Sequence, residues 1–526
     1  MDVWSWICEL PYSEDWPIIT DSTSELTFNL ASSTESLQLK ARRKFTSNSD
    51  LLAITLYVSY EDKALWVSDT CQVNSKQPFL PLVLQIIQEI VSRSPNAHDT
   101  INASCPRSQL QKLKPDSVSW ILDSHSTESF STFFNLVFLA RLFWLCACDA
   151  PSEVGSIYFN SILGPNLDVF STSQAPVLRA FFVSAGIDVE LCLMRTFGYM
   201  ITKCLMLREV GVGLQLLTPS YDNLGFSYAT ETHGLWVLKG YAPLMAMTRC
   251  GPNRVSDVKS LFEAKESVLK YALAHQQIEV VIQLEYSIEF KDTFILVNAR
   301  VDNIRVHVAK LGFNKNEENV YMHERHFPSR VRFWVGPEAG ASYVTGLTLG
   351  RSTDNIEKET ETQKILKGSF GDTKVPKMKA MTKTTTRTKA RAWRWDQDSD
   401  GHVAIFDTTL CDNMTGVEIS TWQPHIGDLG GVNDHERGDQ VERSFQKRYT
   451  GANRSFTKSG NWVFAEGLEG IKWRLNKEME GSVLKWRIGG QVWVSYLPNE
   501  MKSSYFETRC VEWCDEVDLP LIPGSY

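Results

Sequence analysis

The sequence predicts an α+β fold: a small mixed N-terminal unit, a helical middle segment and a large antiparallel β-domain interrupted by a disordered basic loop. Apolar segments with helical spacing dominate residues 105–210, and strict apolar–polar alternation begins at residue 278. Eight of the 16 tryptophans lie within residues 393–526, several of them in strand-like segments. Because the two periodicities occupy separate parts of the chain, helices and strands are expected to segregate.

The length and the changes in composition predict the domain boundaries. A chain of 526 residues is too long for one ordinary core, so roughly two to four domains are expected. The predicted segments are a mixed α/β unit over 1–104, a helical segment over 105–210, the β-meander half of the C-terminal domain over 211–350, a disordered acidic-then-basic loop over 351–392, and the Trp-rich β half of that domain over 393–526.

The first segment has a β-β-α pattern. Residues 51–60 and 64–69 are rich in β-branched and aromatic residues, and the polar sequence EDK between them predicts a turn. From Leu80 to Val91 the apolar residues recur at helical spacing, which indicates an amphipathic helix.

The most apolar run of the helical segment covers residues 133–147. It is about 15 residues long and contains Asn135 and Arg141, whereas a bilayer span needs roughly 20 apolar residues. We therefore expect a buried helix here and no transmembrane segment.

Residues 278–290 have the clearest strand pattern in the chain. Apolar residues occupy the even positions, and polar residues such as Glu279 and Glu285 occupy most of the odd positions. Alternation over this length is typical of an antiparallel strand with one face in water.

Two hairpin turns are predicted in the β-rich regions. Asp302–Asn303 separates two strand-like segments of the meander, and Gly489–Gly490 separates two such segments near the C-terminus. Dipeptides of these types are favoured in tight turns between antiparallel strands.

The basic part of the loop is a candidate binding site for an anionic partner. Residues 373–395 contain no acidic residue, and the composition is too polar to bury a core. A solvated linker is one interpretation, and a site for nucleic acid, acidic lipid headgroups or an acidic protein is the other. The candidate residues are Lys374, Lys377, Lys379, Lys383, Arg387, Lys389 and Arg391, together with Trp393 and Trp395, which are the first aromatic residues available for stacking.

An aspartate-rich stretch resembles part of a calcium loop. Asp396, Asp398, Asp400 and Gly401 fit the first, third, fifth and sixth positions of an EF-hand loop, and Asp407 falls at the twelfth. An EF-hand needs a helix on each side, whereas both flanks here are strand-like. We therefore predict a β-hairpin with Asp400–Gly401 in its turn, and calcium binding by the four aspartates is the alternative.

No catalytic or cofactor motif is recognisable. The sequence lacks a nucleophile elbow, a phosphate-binding glycine loop and a zinc-protease motif, so no cofactor and no catalytic residue are predicted. One conceivable zinc site would combine Cys510 and Cys514 with residues of the same predicted domain, namely Cys411, His402 and His425.

The function predicted from sequence is that of a non-enzymatic soluble binding or scaffold protein whose β-domain holds a protein partner or an apolar ligand. A net charge of −8 argues against nucleic-acid binding by the whole surface. The N-terminus lacks a signal sequence and the 11 cysteines are scattered, so a cytoplasmic or nuclear location with reduced thiols is expected. The alternatives are an anionic-surface binder, acting through the basic loop, and an enzyme with acid–base groups between the helical and β units, drawn from Glu285, Glu289, His307, Asp428, Asp434 and His435.

Overall fold

The computed structural model describes most of the elements that these patterns predict. The described residues are 2–14, 16, 18–20, 23–31, 34–45, 52–97, 113–167, 176–209, 224–250, 272–312, 324–338, 340–350, 356–369, 377–390, 393–411, 418–421, 461–464, 470–496 and 507–523. Within them the fold is α+β, with helices and three large antiparallel sheets in separate layers.

The N-terminal sheet is an antiparallel meander. Its strands are β1 (Ile18–Thr20), β2 (Thr23–Ala31), β3 (Thr34–Phe45), β4 (Leu52–Tyr60), β5 (Lys63–Val67) and β6 (Cys71–Gln72), in the order β1-β2-β3-β4-β5 with β6 also pairing with β4. Leu37, Leu39 and Ala41 of β3 are buried, while the alternate residues face outwards. The sheet therefore buries one face, as period-2 alternation requires.

The helical layer covers the buried face of this sheet. Its helices are α1 (Val3–Glu9), α2 (Leu80–Arg93), α3 (Pro115–Ser124), α4 (Thr127–Cys148), α5 (Ser152–Ile157), α6 (Pro176–Ala185) and α7 (Ile187–Glu209). A π-helical turn, Tyr158–Leu163, follows α5 directly. The side chains of the sheet and of the helices form one apolar core.

Helix α4 contains the apolar run of the sequence and lies in the middle of this core. By length and composition it could cross a membrane, but 83% of its most apolar window is buried inside the protein. Its Arg141 forms an ion pair with Glu89 of α2, so the cation in this apolar helix has a partner. The prediction of a buried core helix is thus confirmed.

The other two large sheets contain strands from both halves of the predicted β-domain. One has the order β14-β20-β12-β11-β9-β8, and β19 and β7 also pair with β12; its strands are β7 (Asn96–Ala97), β8 (Phe226–Thr232), β9 (Leu235–Pro243), β11 (Gln276–Phe290), β12 (Phe294–Gly312), β14 (Val344–Thr348), β19 (Asn461–Phe464) and β20 (Ile471–Asn476). The second has the order β10-β22-β21-β13-β18-β17; its strands are β10 (Thr248–Cys250), β13 (Phe327–Gly336), β17 (Trp393–Asp400), β18 (Val403–Leu410), β21 (Val483–Tyr496) and β22 (Glu507–Pro520). We call the first of these, which contains β11 and β12, the inner sheet, and the second, which contains β21 and β22, the outer sheet.

The inner and outer sheets pack face to face as a sandwich around aromatic side chains. The Trp486 ring of β21 lies 5.6 Å from the Trp236 ring of β9 and 5.0 Å from the Trp473 ring of β20, measured between centroids. Trp236 also stacks on Tyr286 of β11 at 4.3 Å. All three tryptophans are fully buried, so they form the core of the sandwich.

The turns predicted at Asp302–Asn303 and at Gly489–Gly490 are wrong. Asp302 and Asn303 lie inside the 19-residue strand β12, where Gln283 pairs with Asn303 and Leu284 pairs with Val301. Asp302 is therefore the extra residue of a β-bulge. Polar residues that interrupt a strand pattern can mark a bulge as well as a turn.

Gly489 and Gly490 likewise lie within a strand, β21, rather than at a turn. A Cβ atom on Gly489 would stand 2.3 Å from the indole of Trp334, its partner on β13. The glycine is needed for this close approach, because any side chain would overlap the ring.

The prediction of one wet face for β11 is only partly correct. Glu285 and Glu289 are accessible, but Gln277 and Glu279 are buried because α7 covers the start of the strand. Sequence alternation reports the polarity of a face, and a helix that supplies polar partners can cover such a face.

The predicted loop contains a two-stranded antiparallel ladder, β15 (Ile356–Ser369) paired with β16 (Lys377–Ala390). Among the strands that the structure describes, neither pairs with a third one. The sequence predicts a disordered loop here, whereas the backbone of residues 356–369 and 377–390 has the regular pairing of a hairpin. Within the described residues this hairpin adds no strand to the sandwich.

We predict that Gly240→Ala destabilises the sandwich by about 1–3 kcal/mol, because overpacking forces neighbouring side chains to move. A Cβ atom at Gly240 of β9 would stand 2.6 Å from the ring of Trp513 on β22. The urea midpoint of tryptophan fluorescence measures the loss. Gly346→Ala is the control, since the nearest atom to its new Cβ would be 3.9 Å away. Equal midpoints for the two variants would contradict the packing that we describe.

Candidate binding surface

The register of β15 and β16 divides the hairpin into two electrostatically different halves. At the end nearest the sandwich along the chain, Glu357 pairs with Lys389 and Glu359 pairs with Arg387. At the other end Lys367 lies directly opposite Lys379. Residues 364–383 contain six lysines and one aspartate, Asp372. We call residues 356–363 with 384–390 the paired half and residues 364–383 the cationic half.

The two faces of the ladder also differ in composition. Residues at even positions share one face and those at odd positions share the other, because the register pairs even with even. The three glutamates of β15 all occupy the odd face. The even face has no acidic residue and is rich in threonine; its members are Ile356, Lys358, Thr360, Thr362, Lys364, Leu366, Gly368, Met378, Ala380, Thr382, Thr384, Thr386, Thr388 and Ala390.

The structure distributes the predicted basic-site residues over several environments. Lys377, Lys379, Lys383, Arg387 and Lys389 belong to β16, whereas Lys374 and Arg391 lie outside the described residues. The two tryptophans belong to β17 of the outer sheet.

Trp395 is buried in the sandwich core rather than exposed for stacking on a ligand. It is 3% exposed and its ring lies 6.1 Å from that of Phe333 and 5.8 Å from that of Phe406. Trp393 is half-buried and pairs with Leu410 at the start of β17. These positions favour a structural role for both residues.

The aspartate-rich stretch forms the hairpin of β17 and β18. Asp400 pairs with Val403, so Gly401 and His402 are the two residues of the turn. The predicted turn is therefore displaced by one residue. Gly401 has a φ of 60°, and glycine at the first central position is what a type II′ turn requires.

Asp407 and Asp396 lie directly opposite each other on the outer sheet, and arginines balance their charges. Asp407 accepts hydrogen bonds from Arg330 Nε and from Arg332 Nε, each at 2.9 Å. Asp396 lies 2.7 Å from Arg394 Nε. Guanidinium contacts of this kind occupy carboxylate oxygens that a cation would otherwise use.

Within the described part of the chain, no three histidine, cysteine or acidic side chains are grouped closely enough to hold a metal ion. Asp398 and Asp400 share the exposed side of β17 with Asp396. The Asp398 carboxylate accepts a hydrogen bond from the backbone N–H of Ser399 at 2.8 Å. This arrangement is that of a hairpin surface, and the three aspartates do not converge on one point because they follow one another along a strand.

Several acid–base candidates form ion pairs on the inner sheet. Glu285 pairs with Arg300, Glu289 with Lys291, and His307 Nδ1 lies 3.4 Å from Glu279. The remaining candidates, Asp428, Asp434 and His435, lie outside the described residues, as does His425 of the conceivable zinc site.

Sequence reasoning missed a buried charge cluster between α7 and the inner sheet. Glu190 of α7 is 1% exposed, and its carboxylate accepts hydrogen bonds from Tyr228 and Tyr241 at 2.7 Å and from Lys239 at 2.8 Å. No short motif in α7 marks Glu190 as part of a cluster. Its hydrogen-bond donors lie on β8 and β9, at least 38 residues further along the chain. The cluster forms only where α7 packs against the inner sheet.

A second pair fixes the next turn of α7 to the same sheet. Arg195 donates to both oxygens of Glu279, at 2.7 and 3.0 Å. Burial by itself would raise the pKa of Glu279, but the Arg195 charge and the His307 contact outweigh it and lower the pKa from 4.5 to about 2. The folded protein therefore holds this carboxylate ionised over the physiological range.

A third buried network joins the edge of the outer sheet to β11. Arg509 is ion-paired with Glu507 and donates to the carbonyl oxygens of Leu244, Met245 and Met247 at 3.3 Å. His326 Nε2 lies 3.5 Å from Glu507, and its Nδ1 lies 3.1 Å from the Gln276 side-chain oxygen. The pKa of Glu507, which burial alone would raise, is lowered by His326 and Arg509.

A small apolar cavity lies where the helical layer meets the inner sheet. Its volume is about 20 Å³, and Met194, Phe197, Phe226, Tyr241 and Gln277 are among its lining residues. Pockets for small ligands measure roughly 300–1,000 Å³, so this cavity is too small for a substrate or for a sizeable apolar ligand.

Comparison with known proteins gives no family. No protein-family model matches the chain, and no curated protein is similar to it in sequence. Three solved structures with weak similarity are the Clostridium perfringens NetB toxin in its membrane-inserted form, with 9% identity and a TM-score of 0.21, the Clostridium perfringens delta-toxin, with 7% and 0.20, and a pore forming protein, with 9% and 0.19. They cover 56%, 56% and 55% of this chain, and the matches span 94%, 96% and 94% of those chains. At these TM-scores the similarity carries no argument about fold or function.

The low pKa of Glu279 predicts a specific acid sensitivity. Because its folded pKa lies below its ordinary value, Glu279 stabilises the fold above about pH 5, and this contribution of about 3 kcal/mol is lost as the pH falls towards 2. We expect Glu279→Gln to be destabilised at pH 6, because Arg195 loses its partner, and to lose less further stability between pH 6 and 3 than the unmodified protein.

Urea denaturation at the two pH values measures this difference. Glu285→Gln is the matched control, since it removes a carboxylate from the same strand at a position that is 43% exposed. The control should keep the pH dependence of the unmodified protein. A Glu279→Gln variant with the same pH dependence as the control would show that the prediction is wrong.

We also predict that calcium does not bind the aspartate hairpin in the micromolar range, because arginines already occupy Asp396 and Asp407. Calorimetric titration of the full chain should give no saturable heat. A saturable signal that Asp396→Ala combined with Asp400→Ala abolishes would favour the calcium interpretation.

Proposed function

We propose that this protein is a non-enzymatic binding protein that uses the cationic half of the β15–β16 hairpin to bind an anionic lipid surface. The observation that carries the proposal is the unequal charge along the ladder. Glutamates balance the cations of the paired half, whereas the cationic half has six lysines against one aspartate. An excess of lysines over acidic residues in the sequence of such a segment favours an external anionic partner.

The expected strength of this attraction is adequate for reversible binding. A lysine close to an acidic lipid surface contributes about 1 kcal/mol, so a few of them together give a measurable and salt-dependent affinity. Strands of 14 residues are about 45 Å long, which allows the cationic half to reach a surface at a distance from the sandwich.

The composition of the cationic half favours lipid over nucleic acid. Apolar residues accompany its lysines, among them Ile365, Leu366, Phe370, Met378 and Met381. Interfacial segments combine cations for the headgroups with apolar residues for the acyl boundary. Phe370 is its one aromatic residue, whereas single-stranded nucleic acid is bound mainly by several stacking aromatics.

The acid–base candidates that the structure describes are in contact with neighbouring charged side chains. Glu285 and Glu289 form ion pairs with Arg300 and Lys291, and His307 Nδ1 lies 3.4 Å from Glu279. The cavity beneath α7 has a volume of about 20 Å³. A catalytic site needs such groups to converge on space for a substrate.

Co-sedimentation of the full chain with lipid vesicles tests the proposal. Binding is expected to vesicles with roughly 30% phosphatidylserine but not to pure phosphatidylcholine, and about 1 M salt should abolish it. The triple variant Lys367→Gln, Lys377→Gln, Lys379→Gln should bind about 100-fold more weakly, at about 1 kcal/mol for each lysine.

A matched variant separates the hairpin site from net charge. Lys358→Gln, Arg387→Gln, Lys389→Gln removes as many cations from the paired half and should weaken binding by less than about threefold. Equal losses in the two variants, or equal binding to both kinds of vesicle, would overturn the proposal. Binding to RNA or to an acidic polypeptide in place of the vesicles would also overturn it.

Replacement of residues 356–388 by a short Gly/Ser linker provides the last control. Because loop closure depends weakly on loop length, the linker variant should keep a single melting transition while it loses vesicle binding. A folded linker variant that still binds the vesicles would place the lipid site elsewhere and contradict the proposal.

A further inference from the structure

Two cysteines lie side by side at one edge of the outer sheet. Strand β10 pairs with β22 in antiparallel register, with Thr248 opposite Cys510 and Cys250 opposite Thr508. Residues two apart share a face, so Cys250 and Cys510 are diagonal neighbours on the same side of the ladder.

The side chains of Cys250 and Cys510 interact with each other, and Cys250 also interacts with the side chain of Trp493. Both thiols donate to backbone carbonyl oxygens, Cys250 to that of Thr248 at 3.9 Å and Cys510 to that of Val511 at 3.8 Å. Trp493 of β21 lies directly opposite Cys510, and the guanidinium of Arg330 lies 5.1 Å from its ring centroid. Cys250 is exposed and Cys510 is half-buried, so a small reagent can reach the pair from solvent.

The contact makes the two thiols chemically different. The pKa of Cys250 is lowered and the pKa of Cys510 is raised, in each case chiefly by the neighbouring cysteine side chain. The exposed thiol is thus the better source of thiolate, which is the nucleophile in exchange reactions.

We propose that Cys250 and Cys510 form a reversible disulfide, by exchange with a low-molecular-weight disulfide, and that this bond staples the edge strand β10 to β22. The Cys250 thiolate attacks one sulfur of the small disulfide, forms a mixed disulfide and releases one small thiolate. Cys510 then loses its proton and attacks the Cys250 sulfur, which releases the second small thiolate. The two cysteines are oxidised by two electrons, and the small disulfide is reduced to two thiols.

The geometry favours reversibility. Diagonal neighbours in an antiparallel pair have Cα atoms roughly 7–8 Å apart, whereas disulfides prefer about 4.4–6.8 Å. Bond formation therefore requires β10 to move towards β22, which a three-residue edge strand permits. Strained and exposed disulfides are the ones that thiols reduce easily.

The staple would act directly on the buried network behind it. Glu507 and Arg509 occupy the opposite face of the same stretch of β22, and Arg249 of β10 pairs with Glu507 at 3.4 Å. Arg509 also binds the carbonyl oxygens of residues 244–247, which lead into β10. A covalent link on one face would restrict both strands and hence the charged contacts on the other.

Intact-mass measurement of the full chain after incubation with oxidised glutathione tests the proposal. The expected product has lost two hydrogens, carries no glutathione on these two cysteines, and yields a Cys250–Cys510 cross-linked peptide on non-reducing digestion. Cys250→Ser and Cys510→Ser should each lose this product and retain a glutathione adduct instead. Dithiothreitol should restore the original mass of the oxidised protein.

Cys514→Ser is the matched control. Cys514 is exposed on the same strand, four residues or about 13 Å from Cys510, too far for a direct bond. This variant should still form the Cys250–Cys510 link. Mixed glutathione adducts on both cysteines of the unmodified protein, or loss of two hydrogens that persists in Cys250→Ser, would overturn the proposal.

Discussion

The structure depends on the burial of strands β9 and β11 on both faces. On one face they meet the outer sheet, where Gly240 leaves room for Trp513. On the other face they meet helix α7, and every charge that this contact buries must find a partner. Arg195 provides one for Glu279, which joins the helical layer and the sandwich into one packed unit.

This constraint explains why buried ionisable groups are concentrated at the layer boundaries rather than around a cavity. The Glu190 carboxylate of α7 accepts hydrogen bonds from two tyrosines and a lysine of the inner sheet, so its oxygens link the helical layer to that sheet. The β15–β16 hairpin is under no such constraint, because the described residues add no third strand to it. Its cations can therefore serve binding, and the proposed lipid site rests on that contrast.

At the edge of the outer sheet, the strand pair β10–β22 has buried ionisable groups on one face and accessible cysteines on the other. The inner face of β22 buries Glu507 and Arg509, and its outer face carries the half-buried Cys510 beside the exposed Cys250. An edge strand as short as β10 has few backbone hydrogen bonds to hold it, so side-chain interactions determine how firmly it is attached. An added covalent bond is the strongest change that this edge can undergo.

Local patterns of polarity in the sequence were sufficient to predict the α+β class, the buried helix α4, the strand over 278–290 and the uneven charge of residues 356–390. The sequence also located the β17–β18 hairpin to within one residue. Tertiary structure decided what covers each face and what lies opposite. Trp334 made Gly489 a packing residue, a bulge absorbed Asp302, and α7 buried Glu279. The partners in these contacts are far apart in the chain, and no local pattern encodes which distant residue will fill a given space.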